Sequence, residues 1–210
     1  FEARTIDISR LVDEMSSLLR TSIAKRVRLE VNCEDARGVL ADATQLRQLA
    51  MNLITNASAA IEADGTVHVR VEAARWPGGA IEGHLFSAPL EAGDYVRIRV
   101  EDDGAGMGPD VVSHIFDPFF TTKDEGKGRG LAAVLGIVKG HDGFLPLRST
   151  PGVGTLFDVY FPFSPEDVPA VARDIDEPIP LQGASLHGTV LLVDDEPGVR
   201  HYLEAALETM

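Results

Sequence analysis

The sequence predicts an α/β domain, and three observations carry that prediction. Ile8 to Leu19 and Leu46 to Ala57 repeat apolar residues at helical spacing. RVRLEVN (from Arg26), TVHVRVEAARW (from Thr66) and DYVRIRVED (from Asp94) alternate or bunch apolar residues as strands do. Three glycine clusters, in DDGAGMG, GKGRG and PGVG, lie about 20–30 residues apart beside these runs, and glycine suits backbone that bends sharply or approaches a ligand closely. Three such clusters, each beside a strand- or helix-like run, point to one wrapped ligand, which we read as a nucleotide.

Taken in order, Asp7 is placed to cap a first helix whose stripe is Ile8, Leu11, Val12, Met15, Leu18 and Leu19. Arg26 to Asn32 follows as a half-buried strand, and Val39 to Ala41 as a short second one. Asp42 caps the longest helix candidate, Ala43 to Glu62, with Leu46, Leu49, Ala50, Leu53, Ile54 and Ala57 as its core stripe. Strands at Gly65 to Trp76 and Asp94 to Asp102 flank a Gly- and Pro-rich hairpin loop, Pro77 to Gly93. Pro109 to Ile115 is expected as a short helix with proline in its first turn, and Arg129 to Lys139 as another. Gly143 to Ser149 and Gly154 to Phe161 close the domain as an antiparallel pair. Composition shifts at Ser164: four prolines and five acidic residues before Gly188, with little to form a core, predict a flexible linker. GTVLLVDDEPGVRHYLEAALETM then reads as a buried strand, an acidic turn and the start of an amphipathic helix. The expected organisation is a domain over 1–163, a linker over 164–187 and the beginning of a further domain over 188–210.

Composition narrows the function. At 210 residues with 44% hydrophobic, the chain can bury an ordinary core. Its formal charge of −14 disfavours nonspecific binding to nucleic acid or anionic lipid. No apolar run approaches the roughly 18 residues of a membrane span, so no direct membrane contact is expected. A lone Cys33 excludes a disulfide framework and a cysteine-based zinc site and fits a reducing cytoplasm. The chain begins at Phe1 without an initiator Met and stops inside a helix-like pattern, so we expect an excised piece of a longer protein.

Several side chains have types and spacings suited to phosphate chemistry. Asn52 and Asn56 stand at i and i+4, stacked on one helix face beside the core stripe. Two readings stand: a solvated or capping pair, or an amide oxygen that ligates a hard cation such as Mg²⁺, which takes few protein ligands when phosphates supply the rest. Asp102 ends a strand just before Gly104 and Gly106; its carboxylate can accept from an exocyclic amine, or it is an ordinary acidic turn. Gly126, Gly128 and Gly130 open a helix whose free amides and dipole attract phosphate, or they form an ordinary flexible turn. This is not a P-loop, because Gly128 and not Ser or Thr follows Lys127. Phe116, Phe119 and Phe120 lead through Thr121 and Thr122 to Lys123, either as a core cluster beside a solvated lysine or as a flap carrying Lys123 toward phosphate. Arg129 opposes the helix dipole unless an anion lies nearby. The six histidines show no metal-ligand spacing, and no GxSxG nucleophile motif is present.

In combination and order, NLITNA, DDGAGMG, FDPFFTTK, GKGRGL and GVGTLF resemble the boxes of the ATP-binding catalytic domain of sensor histidine kinases, in the superfamily shared by gyrase, MutL and a heat-shock chaperone. The resemblance covers roughly residues 1–163. It implies a two-layer α/β sandwich of the Bergerat type, with a mixed, mostly antiparallel sheet covered on one face by three helices. It implies ATP and Mg²⁺ as cofactors, with Asn56 as the Mg²⁺ ligand and Asn52 as the upstream polar position of the same box. Asp102 matches the carboxylate that reads the adenine amine, and Gly104, Gly106 and Met107 match the turn against the base. Thr121 to Gly128 would form a lid, with Thr121, Thr122 and Lys123 toward the phosphates. Gly128, Arg129, Gly130 and Leu131 match the phosphate-facing start of the last helix, and Thr155 would lie near the adenine. Two positions depart from the pattern: Arg129 replaces the usual Leu, and Ala59 stands where several relatives carry a basic residue, leaving charge neutralisation to Lys123 and Arg129.

The implied reaction is phosphoryl transfer from ATP to a histidine nitrogen, with Asn52, Lys123 and Arg129 as the catalytic set. The accepting histidine of this family lies in an HE-type box on an upstream dimerisation hairpin, and none of the six histidines here has that context. The implied partners are those helices and a receiver domain or cognate response regulator. GTVLLVDDEPGVR itself is similar to the first strand and acidic turn of a receiver domain, with Asp194 and Asp195 as Mg²⁺ residues, which implies a hybrid kinase. Two rivals remain: an ATPase of the gyrase or MutL type, which uses a Glu base where Asn52 stands, and a non-catalytic nucleotide-binding or docking module.

Overall fold

The computed structural model describes residues 3–20, 23–34, 38–79, 91–120 and 130–164. The chain divides into two compact units, Phe1–Ala170 and Val171–Met210; the fold below is that of the first. The expected linker beyond Ser164 and the 188–210 segment lie outside the described residues.

Period-2 patterning places four long strands in one sheet. β2 (Val27–Cys33), β4 (Gly65–Trp76), β5 (Gly93–Asp102), β7 (Gly154–Pro162) and the short β6 (Leu147–Thr150) lie in the order β2-β4-β5-β7-β6. β2 runs parallel to β4, and every other pairing is antiparallel. The inward set Val67, Val69, Val71, Val96, Ile98, Val100, Phe157, Val159 and Phe161 is buried. It packs with residues of α1 (Ile8–Leu19), α2 (Ala43–Ala60) and α4 (Gly130–Gly140) in one core. Burial of such side chains is worth about 1.5–3 kcal/mol each, so the inward set fixes strand register. This is the sandwich that the sequence implied.

The predicted caps form. Asp7 accepts from the Arg10 amide at 3.0 Å, and Asp42 from Thr44 at 2.9 Å and Gln45 at 3.3 Å. One strand was not anticipated: β1 (Arg4–Ile6) pairs antiparallel with β3 (Val39–Ala41) in a separate small sheet. Three residues carry no readable period, and the pairing is non-local. The closing pair is shorter than expected, because Pro146 has no N–H for the ladder. Phe144 and Tyr160 meet in an isolated bridge, Pro146 O accepts from Asp158 N at 3.0 Å, and β6 begins only at Leu147. The short helix after Gly108, α3 (Pro109–Val112), likewise stops before Ile115.

The other sheet face is held by polar and aromatic side chains. Arg99 forks onto Asp158 at 2.7 and 2.9 Å, and Arg97 pairs with Glu72. The bonds to Asp158 hold the Arg99 guanidinium above its ordinary range, against the burial that lowers it. Phe144 stacks on Tyr160 with centroids 4.4 Å apart.

Candidate functional site

α2 has two faces, and the sequence sets both. Leu46, Leu49, Leu53, Ile54 and Ala57 are buried toward the sheet. Asn52, Asn56 and Ala60, each four residues apart, form a second row along the helix. The row spans about 12 Å at 1.5 Å per residue. At one end, the Asn52 amide nitrogen donates to the Gly130 carbonyl at 3.2 Å, and a Cβ on Gly130 would touch both asparagines. At the other end, the Ala60 carbonyl accepts from the Ala105 amide at 2.9 Å. A side chain on Gly104 would strike that same carbonyl. The asparagine pair therefore stands between the N-terminus of α4 and the glycine turn after β5.

Asp102 is 4% exposed, paired in register with Val67 on β4 and Thr155 on β7. Its Oδ1 accepts from the Gly104 amide at 3.0 Å, which fixes the carboxyl orientation. Gly106 adopts φ +64°, and a Cβ there would overlap the Thr150 carbonyl. Glycine is required on both counts. Ala105 O accepts from Gly152 N at 2.7 Å, and Met107 N donates to Ser149 Oγ at 2.8 Å. Ser149 Oγ also lies 3.2 Å from Gly154 O and 2.9 Å from Thr155 Oγ1. The turn is thus pinned on one side by α2 and on the other by the β6–β7 hairpin.

The structure brings together Asn52, Asn56, Asp102, Gly104, Gly106, Met107, Gly130, Leu131 and Thr155, the last two through the start of α4 and of β7. Gly130 to Ala133 are half-buried and form the first turn of α4, where backbone amides have no partner within the helix. Among the described residues, the Asn56 amide has no hydrogen-bond partner. A neutral amide oxygen of this kind suits a hard cation that takes its other ligands from phosphate and water. Among the described residues no group of three His, Cys, Asp or Glu side chains gathers as a metal site. Thr121, Thr122, Lys123, Gly128 and Arg129 lie outside the described residues.

The Phe segment divides. Phe116 is buried and Phe120 packs on the core, whereas Phe119 is 77% exposed at φ +70°. His141 is structural: its Nε2 accepts from the Asp42 amide at 3.1 Å, and Nδ1 lies 2.7 Å from Ile137 O. A separate cavity of about 250 Å³, lined by Leu40, Gly140, Asp142, Pro162 and others, lies at the far end of β7 and α4 from Asp102. Ser149 and the Ala60 carbonyl were not singled out from sequence. A serine six residues before Thr155 in a GxGT hairpin was the available signal, but its meaning depends on strand register.

A family model described as histidine kinase-, DNA gyrase B-, and HSP90-like ATPase matches residues 41–165. Among curated proteins, the chain is 36% identical to the sensor kinase CckA of Brucella abortus, over 93% of this chain and 21% of that protein. It is 31% identical to the sensor histidine kinase ZraS of Salmonella typhimurium, over 76% of this chain and 31% of that protein. The chain thus spans about a fifth to a third of these relatives. Among solved structures, the mycobacterial sensor histidine kinase MprB superposes with TM-score 0.62 at 22% identity, covering 79% of this chain and all of that one (100%). Full-length ShkA in complex with AMPPNP superposes with TM-score 0.61 at 26% identity, covering 80% of this chain and 33% of that one.

Proposed function

We propose that this chain, which belongs to the histidine kinase-, DNA gyrase B- and HSP90-like ATPase family, is the ATP-binding catalytic domain of a sensor histidine kinase and directs the γ-phosphoryl group of Mg-ATP to a histidine on a dimerising helical hairpin outside this chain. The observation that carries the reading is the row on α2, which links the Gly130 carbonyl at the start of α4 to the turn beside the corner built by Asp102 and Thr155. A purine lies against Gly104, Gly106 and Met107 with its amine on Asp102 and its edge toward Thr155. The triphosphate runs along Asn52 and Asn56 to the Gly130–Leu131 amides. Mg²⁺, when bound, neutralises phosphate charge, and Asn56 is the residue to hold it.

Phosphoryl transfer asks little covalent chemistry of the protein; positioning and charge neutralisation carry the rate. Asn52 anchors the start of α4 and cannot act as a general base, because an amide takes up no proton at neutral pH; this disfavours an ATPase of the gyrase type. We assign Lys123, Arg129, Thr121, Thr122 and Gly128 to the phosphate end, on the strength of their place in the sequence just before Gly130.

The partners follow as proposals: the upstream histidine-bearing helices and a receiver domain or response regulator. We read 188–210 as the start of a receiver domain on the strength of GTVLLVDDEPGVR, a buried-strand pattern that ends in an acidic turn. No described helix is long and apolar enough to cross a membrane; we place the domain in the cytoplasm, where ATP and a reduced Cys33 are at home.

Titration with AMPPNP, with and without Mg²⁺, tests the reading. Asn56→Ala is expected to weaken Mg-AMPPNP at least about tenfold while leaving adenosine affinity unchanged, since only the metal-phosphate end loses a ligand. Equal losses for nucleotide and nucleoside would refute the assignment.

A further inference from the structure

Ser149 sits at the centre of a hydroxyl knot between the turn after β5 and the β6–β7 hairpin. Its Oγ lies 2.8 Å from Met107 N, 3.2 Å from Gly154 O and 2.9 Å from Thr155 Oγ1. A serine hydroxyl has one proton to give and two lone pairs to receive. Met107 N–H can only donate, and the Gly154 carbonyl can only accept. All three contacts are hydrogen bonds in one arrangement alone: Ser149 accepts from Met107, gives its proton to Gly154, and accepts the Thr155 proton. That assignment follows from satisfying the network. It leaves Thr155, 6% exposed, with lone pairs and no proton to offer.

We propose that Ser149 is a positioning residue that sets base specificity: by taking the Thr155 proton it makes the Asp102–Thr155 corner a pure hydrogen-bond acceptor, matched to a purine that presents an amine, not a carbonyl, at C6. This rests on the nucleotide reading above. Asp102 and Thr155 face each other in register across β5 and β7, and the Asp102 carboxylate is already an acceptor. Adenine presents an amine donor where guanine presents a carbonyl. Two acceptors in a buried corner leave that carbonyl facing lone pairs, and an unpaired buried polar group is the strongest available basis for rejection. The same hydroxyl ties the Met107 amide to the hairpin, so one side chain sets both the position of the turn and the polarity of the wall facing the base.

The test is direct binding of Mg-AMPPNP and Mg-GMPPNP to the full chain and to Ser149→Ala, Ser149→Thr and Thr155→Val. The wild type should prefer the adenine analogue. In Ser149→Ala the Thr155 proton is released to turn outward, and Met107 N–H loses its acceptor. AMPPNP affinity should fall about tenfold and GMPPNP affinity should not, so the preference shrinks at least about tenfold. Ser149→Thr should restore it. Adding Ser149→Ala to Thr155→Val should change the preference no further, because serine acts through threonine. Thermal melting of each variant reports on folding. Equal losses for both analogues in Ser149→Ala mean a structural role only and overturn the proposal, as does a wild type with no base preference, or a Ser149→Thr variant that fails to rescue. A wild type that binds neither analogue overturns the nucleotide reading itself, and this inference with it.

Discussion

Gly154→Ala separates local backbone strain from damage to the site. Gly154 has φ +132°, and a Cβ there would collide with the Asp102 carbonyl. The dihedral strain costs about 1–3 kcal/mol. Relief requires the start of β7 to move off the end of β5, which loosens the Asp102–Thr155 pair and the Ser149 knot. Each hydrogen bond given up costs about 1 kcal/mol. The total is roughly 2–4 kcal/mol of stability, and at about 1.4 kcal/mol per decade the displaced corner should lose tenfold or more in AMPPNP affinity. Gly152 is the control: its φ is +72°, yet a Cβ there meets nothing within 4 Å. Gly152→Ala should cost only the left-handed strain of about 1–2 kcal/mol and leave affinity intact. Urea unfolding, followed through Trp76, the single tryptophan, gives stability by linear extrapolation, and calorimetric titration gives affinity. If the two variants lose equal stability and both bind AMPPNP as the wild type does, the hairpin does not position the corner.

Two further predictions concern the scaffold. Asp158→Asn removes the charge that Arg99 grips with two bonds while keeping the shape. Breaking a fully buried pair costs about 3–5 kcal/mol, and with the Arg99 side chain 27% exposed the loss should be nearer 2 kcal/mol in urea unfolding, with AMPPNP affinity unchanged. The Cys33 thiol is pushed up to about 11 by burial, with Asp13 and Asp7 adding to it. The thiolate is the reactive form, so a disulfide reagent at pH 8 should label the folded chain roughly a hundredfold more slowly than the urea-unfolded one; equal rates would contradict the burial.

Much of this architecture was legible in the sequence because it rests on local signals. The apolar alternation in TVHVRVEAARW gave β4 its bounds, and Asp7 and Asp42 announced both helix starts. β1 escaped because three residues hold no period, and its partner β3 lies more than thirty residues on. Pro146 could have shortened the closing strand in advance, since a missing N–H is readable from the residue alone. The candidate site was legible as residue types in an order. The cross-strand facts were not: that Asp102 faces Thr155, that Ser149 bridges the turn to the hairpin, and that the Ala60 carbonyl holds Ala105. Each depends on register between distant segments, which periodicity does not encode.

A single feature makes the site more than a set of neighbouring motifs: the register of α2. Its core stripe locks the helix rotation, since turning it by one residue, about 100°, would withdraw Leu49 and Leu53, both fully buried, from the sheet. That locked rotation aims Asn52, Asn56 and Ala60 away from the core together. The Ala60 carbonyl then fixes the turn at Ala105, and Asn52 fixes the start of α4. The distance between the Asp102–Thr155 corner and the start of α4 is therefore set by the apolar packing of one helix. A core change such as Leu49→Ala acts on both ends at once, and its effects on adenosine and on triphosphate affinity should move together, unlike those of Asn56→Ala.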